Sequence, residues 1–327
     1  MRHVLGVDAG GTKTTCLLAS ELGDILAKGV AGPANPHTVG ITETQRAIRA
    51  SIGQAMSRTG IHRVDVAYLG VAGVDRTPER KAVSTIVKKL RVAKRFHVES
   101  DALIALAGGT VCGPGVVLIS GTGSIAFGIN SEGQRARSGG WGPVLGDEGS
   151  GYDIGRRALV AVMRSGDGRG PQTSLTHRVL RHLKLDRPEQ LIGYVYGAAM
   201  GVPRIAKLAS LVLDESKRGD PVSQRIVEDS AKELTEAALS VIRKLRMEKE
   251  PVEVVVCGGA FEYCDVLQNS VKTTLKKALR RAMLIRPRFD PAVGAVLLGL
   301  KSLSVEPSGS LLTRLEDSLI AVERDRI

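Results

Sequence analysis

The first third of the chain alternates short apolar runs with polar or glycine-rich turns. Three such runs lie within Val4–Val30, and their length and bounding turns predict three strands. Longer segments with apolar residues near helical spacing follow. The predicted order over the first 110 residues is therefore βββαβαβα. After the three strands we expect a helix over Ile41–Ser57, a strand over Val64–Ala72, a helix from its N-cap Thr77 to about Leu90, a short strand at Phe96–Val98 and a helix that begins at Asp101.

The same pattern then restarts. Three further strands are predicted, over Val116–Ser120, Ile125–Ile129 and Gln134–Ser138, and a glycine turn at Gly121–Ser124 joins the first two. This order predicts a structural repeat of the first three strands. Helices dominate the rest. They are predicted over Glu148–Arg164, Arg178–Met200, Val202–Lys217, a long segment begun by Gly219-Asp220-Pro221, about Val266–Arg281, Ala292–Leu303 and Leu311–Val322, with strands over Val252–Val256 and near Leu284–Arg286.

A length of 327 residues suits two domains rather than one. We expect an N-terminal domain over residues 1–113, completed by C-terminal helices at about 295–327, and a larger domain over residues 114–294. Apolar runs fall short of the roughly 20 residues that a membrane span needs, and no signal-peptide pattern opens the chain. The sequence therefore predicts a cytoplasmic protein that does not enter a membrane.

The net charge of +12 does not by itself indicate nucleic-acid binding. The basic residues are spread through predicted helices, and only 3% of the residues are aromatic, which leaves little for base stacking. A solvated basic surface that also attracts an anionic substrate is the better interpretation. The four cysteines show neither a CxxC pair nor a Cys/His ligand spacing, so we expect no structural metal centre.

The clearest chemical signal lies at the first predicted turn, LGVDAGGTKT. Asp8 ends an apolar strand and is followed by Gly10 and Gly11, whose bare backbone can bring N–H groups close to an anion. The next segment is again strand-like, so the glycine turn links strand to strand. A Walker loop or a dinucleotide fingerprint instead runs from strand to helix, and neither pattern occurs in the chain.

Further glycine-rich strand ends follow at Gly70–Gly73, Gly121–Ser124 and Gly258–Ala260. With DAGGTKT, GVAGVD, ESDA, LISGTGS, GGWGxxLGDEGSGY and CGGAF in this order, the chain from Gly6 to about Leu300 resembles the sugar kinase/heat-shock ATPase/actin superfamily. Its motifs are most similar to the N-acetylglucosamine kinase and BadF/BadG/BcrA/BcrD ATPase-like branch, including archaeal broad-specificity hexokinases. The resemblance implies an α/β fold of two ribonuclease H-like (actin-like ATPase) domains, each with a mixed five-stranded sheet of βββαβαβα type, around an interdomain cleft.

The resemblance also implies ATP and Mg²⁺ as cofactors. The two glycine hairpins match phosphate-binding hairpins, and the third turn matches an adenosine loop. Asp8 would act on Mg²⁺, through water because Mg²⁺ usually keeps several waters. The implied ATP-binding residues are Gly10, Gly11, Thr12, Lys13, Thr122, Gly123, Gly258 and Gly259. The simpler alternatives are a turn-capping role for Asp8, ordinary tight hairpins and a solvent-facing Lys13.

Asp101 matches the position of the family's catalytic base, which accepts the proton of the attacking sugar hydroxyl. An N-cap role is compatible with that assignment. The implied sugar-binding residues are Asn35, Asp101, Gly140, Trp141, Gly142 and Asp147. Glu148 is left as a helix-start residue or a partner of Asp147, and His37 as a loop histidine. A tryptophan surrounded by glycines is a poor core element, whereas glycine-flanked backbone can approach a sugar closely.

The function implied is an ATP-dependent kinase, a phosphotransferase that phosphorylates a hexose or N-acetylhexosamine on its 6-hydroxyl. Two alternatives remain. One is an ATPase that activates a 2-hydroxyacyl-CoA dehydratase-type enzyme, although such activators carry cluster-binding cysteines and here only Cys112 stands near the second hairpin. The other is a non-catalytic sugar sensor. By resemblance we expect a homodimer whose small-molecule partners are sugar and ATP, without nucleic acid or membrane partners.

Overall fold

The computed structural model describes residues 1–197 and 201–324, and the chain divides into two compact units. The first comprises the described residues of Met1–Gly113 and Pro287–Ile327, and the second spans Pro114–Arg286. One five-stranded sheet with helices lies at the centre of each described unit. The predicted α/β fold with mixed five-stranded sheets is thereby confirmed.

The first unit opens with the predicted βββαβαβα order. Its elements are β1 (His3–Ala9), β2 (Thr14–Ser20), β3 (Ile25–Ala31), α1 (Pro36–Ser57), β4 (Val64–Val71), α2 (Thr77–Leu90), β5 (Ala93–Ser100) and α3 (Asp101–Thr110). The strands lie side by side as β3-β2-β1-β4-β5. β1 is antiparallel to β2 and parallel to β4, which is parallel to β5. The carboxyl ends of β1, β4 and β5 therefore meet at one edge of the sheet, where ligands bind in α/β proteins.

The second unit repeats this topology. Its elements are β6 (Gly115–Ser120), β7 (Ser124–Ile129), β8 (Arg135–Gly139), α4 (Gly151–Gly166), α5 (Leu175–Leu183), α6 (Gln190–Tyr196), α7 (Val202–Lys207), α8 (Ala209–Lys217), α9 (Pro221–Lys244), β9 (Val252–Cys257), α10 (Gly259–Tyr263), α11 (Asp265–Ala278) and β10 (Ala282–Ile285). The strand order β10-β9-β6-β7-β8 is that of the first sheet read from the other side. The predicted structural repeat of the first three strands is confirmed.

Two C-terminal helices, α12 (Pro291–Ser302) and α13 (Gly309–Arg324), return to the first unit. α12 packs against β1 because Gly6 has no side chain: a Cβ there would lie 2.6 Å from the backbone nitrogen of Val296. Leu297 of α12 and Leu315 of α13 join Val4 and Val66 in one buried cluster. These helices cover the sheet face opposite α1, whose apolar side chains form a second cluster with β1 and β4.

Helix α1 is interrupted near its start. Gly40 has φ 77° and ψ 162°, which are not helical, and they separate a first turn at residues 36–39 from the rest of the helix. The buried face begins only after this break, at Thr44, and continues through Ala47, Ile48 and Ile52. The predicted helix over Ile41–Ser57 is confirmed, and the turn in front of it is an addition that the periodicity did not reveal.

Several predicted helix bounds were wrong. α4 begins at Gly151 rather than Glu148, because Gly149 takes φ 71° and the Ser150 hydroxyl caps the helix by accepting from the Asp153 N–H. The cap position of α2 is Arg76 rather than Thr77. The long predicted helices Arg178–Met200 and Val202–Lys217 are each divided, and residues 198–200 lie outside the described part. No helix in the described ranges is long and apolar enough to cross a bilayer.

Substitution by alanine should change the free energy of unfolding in opposite directions at two helical glycines. A Cβ on Gly294 of α12 would collide with the Ile104 carbonyl oxygen and lie 2.6 Å from the Gly108 nitrogen, whereas one on Gly53 of α1 would touch nothing within 4 Å. We expect Gly294→Ala to lower the free energy of unfolding by about 2–3 kcal/mol through forced displacement of α12 from α3. Gly53→Ala should raise it by about 0.5–1 kcal/mol through better helix propensity.

Chemical denaturation of both variants beside the unmodified protein measures these changes. Destabilisation by both substitutions to a similar extent would contradict the close packing of α12 on α3.

Candidate active site

The first glycine turn joins β1 to β2 as a tight hairpin. The Gly10 N–H donates to the Lys13 carbonyl oxygen at 3.0 Å, which leaves Gly11, Thr12 and Lys13 exposed at the tip. Gly11 has an ordinary φ, and a Cβ built on it meets nothing within 4 Å. Neither backbone strain nor crowding within the protein requires glycine there. The hairpin therefore presents bare N–H groups and a hydroxyl in open space, as a phosphate-binding turn needs.

Asp8 lies at the carboxyl end of β1, half-buried beside this hairpin. Loss of contact with water, and then the negative charge of Asp101, raise the pKa of Asp8 to about 7. Lys13 opposes this increase, and Asp290 at the N-cap of α12 adds to it. A carboxylate that is repelled by other carboxylates is a place where a cation binds favourably.

Asp101 is the first residue of α3, directly after β5, and Ser100 rather than Asp101 occupies the N-cap position. Asp101 Oδ1 accepts a hydrogen bond from the Ala102 N–H at 2.9 Å. Desolvation, followed by the negative charge of Asp75, raises the pKa of Asp101 to about 6. A carboxylate whose pKa is raised toward neutral pH has the properties of a general base.

The loop after β3 brings Asn35 to the same part of the first unit. The Ala34 N–H donates to the Gly10 carbonyl oxygen at 2.9 Å and so ties this loop to the first hairpin. Asn35 is the N-cap of α1 and accepts from the His37 N–H at 3.0 Å. His37 in turn contacts the Gly73 carbonyl oxygen through Nε2 at 3.1 Å. The turn that carries Asn35 is thus tied both to the first hairpin and to the loop after β4.

The second glycine turn joins β6 to β7 and is tied to the tryptophan loop, residues 140–150. The Gly121 N–H donates to the Gly123 carbonyl oxygen at 2.9 Å, while the Gly121 carbonyl accepts from the Gly151 N–H at 2.8 Å. Ser124 donates its hydroxyl to the Glu148 carbonyl oxygen at 2.8 Å and accepts at its own carbonyl from the Gly140 N–H. Thr122 and Gly123 remain half-exposed at the tip.

Trp141 is half-exposed in this loop, with the Arg137 guanidinium 4.4 Å from the centre of its ring. Val144 and Leu145 in the same loop are 89% and 79% exposed. Gly140 and Gly142 have φ 71° and 84°, values that side chains disfavour, so these glycines are required by the path of the loop. The loop therefore exposes apolar side chains beside a charged group, which suits a ligand with apolar and polar faces.

Asp147 lies within the tryptophan loop and is buried against the second hairpin. Its Oδ1 accepts from the Ser124 N–H at 3.2 Å, and a Cβ on Gly123 would come within 2.8 Å of its Oδ2. Burial raises the pKa of Asp147, whereas the N–H groups of Ser124 and Gly142 lower it. Glu148 is exposed in the turn before α4, so its predicted place at the start of a helix was wrong.

The third glycine turn follows β9. Gly258 has φ 103°, and a Cβ there would lie 2.5 Å from the Ser120 carbonyl oxygen at the end of β6. Gly259 opens α10, and a Cβ on it would meet nothing within 4 Å. Gly258 is thus required by packing within the protein, whereas Gly259 leaves open space.

The model of the BadF/BadG/BcrA/BcrD ATPase family matches residues 5–299. The chain belongs to this family.

Two curated relatives of this BadF/BadG/BcrA/BcrD family protein are 35% identical to it. They are an N-acetylmuramic acid/N-acetylglucosamine kinase of Clostridium acetobutylicum and an N-acetyl-D-glucosamine kinase of Dictyostelium discoideum, each aligned over 91% of this chain and 98% of its own length. A solved structure of a candidate N-acetylglucosamine kinase from Chromobacterium violaceum has TM-score 0.75 at 28% identity, over 92% of this chain and 99% of that one. Membership of this ATPase family implies that the protein uses ATP.

The pattern of residues did not single out two further carboxylates in the first unit of this family member. Asp75 and Asp290 raise the pKa values of Asp101 and Asp8, respectively. Asp75 lies within the GVAGVD motif, after the end of β4, so the sequence could have identified it as a residue of the site. Asp290 at the N-cap of α12 was not, because nothing in the sequence places residue 290 near residue 8.

Asp101→Asn should make the ligand-free protein more stable at alkaline pH. The pKa of Asp101 is about 6 in the folded protein, above the roughly 3.9 of an unfolded chain. Its ionisation therefore opposes folding, fully so above the folded pKa and not at all well below the unfolded one. We expect thermal unfolding of the variant about 2–4 °C higher at pH 8, with a smaller gain at pH 5.

Asp186→Asn is the matched control, because Asp186 is exposed and should leave the midpoint within about 1 °C. A midpoint for Asp101→Asn that is lowered at pH 8 would contradict the desolvation and the repulsion from Asp75 that raise the pKa of this carboxylate.

Proposed function

We propose that this protein is an ATP-dependent kinase that transfers the γ-phosphoryl group to the 6-hydroxyl of a hexose or N-acetylhexosamine. The observation that supports this most directly is Asp101, a half-buried carboxylate whose pKa is raised to about 6 beside the first phosphate hairpin. The named kinases that align over 91% of the chain support the same reaction class.

Asp101 is the proposed general base. Its carboxylate would accept the proton of the sugar 6-hydroxyl as the oxygen attacks the γ-phosphorus and the bond to the leaving ADP breaks. A pKa of about 6 keeps Asp101 ionised at neutral pH and able to take up a proton during transfer. Phosphoryl transfer depends mainly on positioning and charge stabilisation, so a held hydroxyl and a held phosphate are the other requirements.

The two hairpins are the proposed ATP phosphate sites. Gly10, Gly11, Thr12 and Lys13 in the first unit would donate N–H groups, a hydroxyl and a positive charge to phosphate oxygens. Thr122 and Gly123 would do the same in the second unit, and Gly258 and Gly259 would accept the adenosine against bare backbone. The open space over Gly11 and Gly259 supports this assignment, since no packing within the protein explains glycine at either position.

The residues around Asp8 fit a magnesium ion held mainly through water. Within the described ranges no three ligating side chains cluster closely enough to hold a metal by themselves. Mg²⁺ in such sites takes most of its oxygens from water and phosphate, so one carboxylate is sufficient. Negative charge from Asp101 and Asp290 favours a cation beside Asp8. When bound, Mg²⁺ neutralises charge on the transferring phosphate.

Asn35, Asp101, Gly140, Trp141, Gly142 and Asp147 are the proposed sugar-binding residues. One oxygen of Asp147 already accepts from the Ser124 N–H, so Asp147 would bind sugar while held against the second hairpin. The names of the relatives favour an N-acetylated amino sugar, N-acetylglucosamine or N-acetylmuramic acid. Glucose, glucosamine and mannosamine derivatives remain alternatives. We also propose a cytoplasmic homodimer that binds no nucleic acid.

The dehydratase-activator alternative has less support. It needs thiolates to hold an iron–sulfur cluster, whereas Cys16 and Cys257 are buried within the sheets. Burial raises the pKa of Cys112 to about 11, which keeps this thiol protonated at neutral pH. The exposed tryptophan loop also has no role in that alternative.

A coupled ADP-release assay over hexoses and amino sugars tests the proposal. We expect release that depends on one N-acetylhexosamine or hexose, with kcat/KM falling about tenfold per pH unit below about pH 6 as Asp101 becomes protonated. Asp101→Ala should reduce kcat by about 10²–10⁴-fold while nucleotide binding changes little. Turnover near that of the unmodified enzyme in Asp101→Ala would refute the assignment of the base. Sugar binding without ADP release would favour the sensor.

Trp141 offers a test that does not depend on turnover, because it is the only tryptophan of the chain. Its half-exposed ring should lose water when a sugar binds, so we expect a blue shift of the emission that saturates with sugar concentration. We expect a saturating shift with the sugar that supports turnover and no shift with a sugar that the enzyme does not phosphorylate. Trp141→Phe, which keeps an aromatic face, should weaken sugar binding less than Trp141→Ala. An emission spectrum that is unchanged at saturating substrate would contradict sugar contact at Trp141.

A further inference from the structure

Asn35, His37 and Gly73 form a compact corner in the first unit. Asn35 and His37 belong to the turn before the break at Gly40, and Gly73 belongs to the loop after β4. The two loops are both fastened to β1 and its hairpin, since the Ala34 N–H donates to Gly10 and the Ala72 N–H donates to Ala9, each at 2.9 Å. The corner therefore lies next to the proposed phosphate hairpin within a single unit.

The orientation of the Asn35 amide follows from its partner. The His37 backbone N–H can only donate, so the atom that it contacts at 3.0 Å must be the oxygen Oδ1. This bond caps α1 and uses the acceptor of the amide. The NH2 group has no partner among the residues that the structure describes. Asn35 therefore offers hydrogen-bond donors to a ligand, and it would bind an acceptor such as a sugar hydroxyl oxygen.

The His37 ring fixes the turn that carries Asn35. Nε2 lies 3.1 Å from the Gly73 carbonyl oxygen and 3.7 Å from Oε1 of Glu79 in the first turn of α2. Both neighbours are acceptors, so Nε2 carries a hydrogen and donates to Gly73. The ring thereby ties the turn to a loop 36 residues further along the chain.

Gly73 supplies the surface against which both side chains lie. It has φ 78°, and a Cβ there would come 2.7 Å from Asn35 Oδ1 and 2.8 Å from His37 Cδ2. Any other residue would displace the two side chains from their present positions. The corner thus depends on a bare backbone at Gly73 as well as on the hydrogen bond that its carbonyl accepts.

We propose that His37 is a positioning residue that, together with Gly73, holds Asn35 with its NH2 group presented to an acceptor oxygen of the sugar. The inference rests on the proposed kinase function and deepens it by giving Asn35 a donor role. His37 is exposed and lies outside the apolar core, so its effect on sugar binding arises through Asn35 and not through the fold.

Steady-state kinetics test this role through the separation of KM from kcat. We expect His37→Ala to raise KM for the sugar about five- to tenfold, with KM for ATP and kcat changed less than about twofold. His37→Gln should restore sugar KM to within about twofold of the unmodified value, since a glutamine amide can also donate to Gly73. In an Asn35→Ala background, His37→Ala should have no further effect on sugar KM.

Asn35→Asp tests the donor role directly. Aspartate keeps the N-cap of α1 but has no hydrogen to donate, so we expect an unchanged thermal midpoint and a sugar KM raised about 100-fold or more. An Asn35→Asp enzyme with unaltered sugar KM would overturn the donor role. Equal effects of His37→Ala in the presence and absence of Asn35 would overturn the positioning role.

A spectroscopic measurement makes the inference independent of activity. The chain has asparagine only at Asn35, Asn130 and Asn269, so selective ¹⁵N-asparagine labelling gives three side-chain amide signals. Asn130 donates to Gln134 and Leu245 and serves as a held reference, while the exposed Asn269 serves as a mobile one. We expect the Asn35 amide to resemble Asn130 in the unmodified protein and to become mobile, like Asn269, in His37→Ala.

These experiments distinguish failure of the proposed function from failure of the positioning role of His37. Absence of sugar-dependent ADP release in the unmodified protein would overturn the proposed function, and the amide measurement would still decide whether His37 holds Asn35. ADP release with an Asn35 amide that is unchanged by His37→Ala would overturn the positioning role and leave the kinase proposal standing.

Discussion

Repulsion between carboxylates at one edge of the first sheet is the constraint on which the site depends. β1, β4 and β5 are parallel neighbours, so the chain segments that leave them deliver Asp8, Asp75 and Asp101 to the same edge. The free protein keeps like charges in partly dehydrated positions, where ionisation is costly and pKa values increase. Such an arrangement persists only where packing elsewhere holds it, and a bound cation or a transferred proton relieves it.

The second unit has the same topology with a different set of polar and charged groups. Its hairpin presents backbone donors and hydroxyls, and the buried carboxylate beside it, Asp147, is already satisfied by the Ser124 N–H. The two sheets are therefore equivalent in strand order but not in charge. The duplicated architecture supplies two similar turns. The residues that follow each strand decide whether carboxylates lie close together beside the turn, as in the first unit, or one carboxylate is held by a backbone N–H group, as in the second.

Local patterns in the sequence were sufficient to predict most of the fold. Short apolar runs located the strands, and the setting of each glycine turn between two strands excluded the common nucleotide loops. The predicted start of α4 at Glu148 was wrong, because Ser150 and Asp153, three residues apart, form the cap of this helix. The sequence predicts only a loop position for His37, because its partner, Gly73, lies 36 positions away and only the folded sheet brings the two loops together.

The break in α1 at Gly40 has a consequence for how such proteins diversify. The turn that carries Asn35 and His37 is separated by a non-helical residue from the part of the helix that enters the core, which begins at Thr44. Under the proposed function, mutations in the turn would alter which sugar group is recognised while the packing of Ile48 and Ile52 on the sheet is preserved. Because new specificities are usually limited by lost stability, a recognition element insulated from the core is a favourable starting point for the evolution of altered substrate preference.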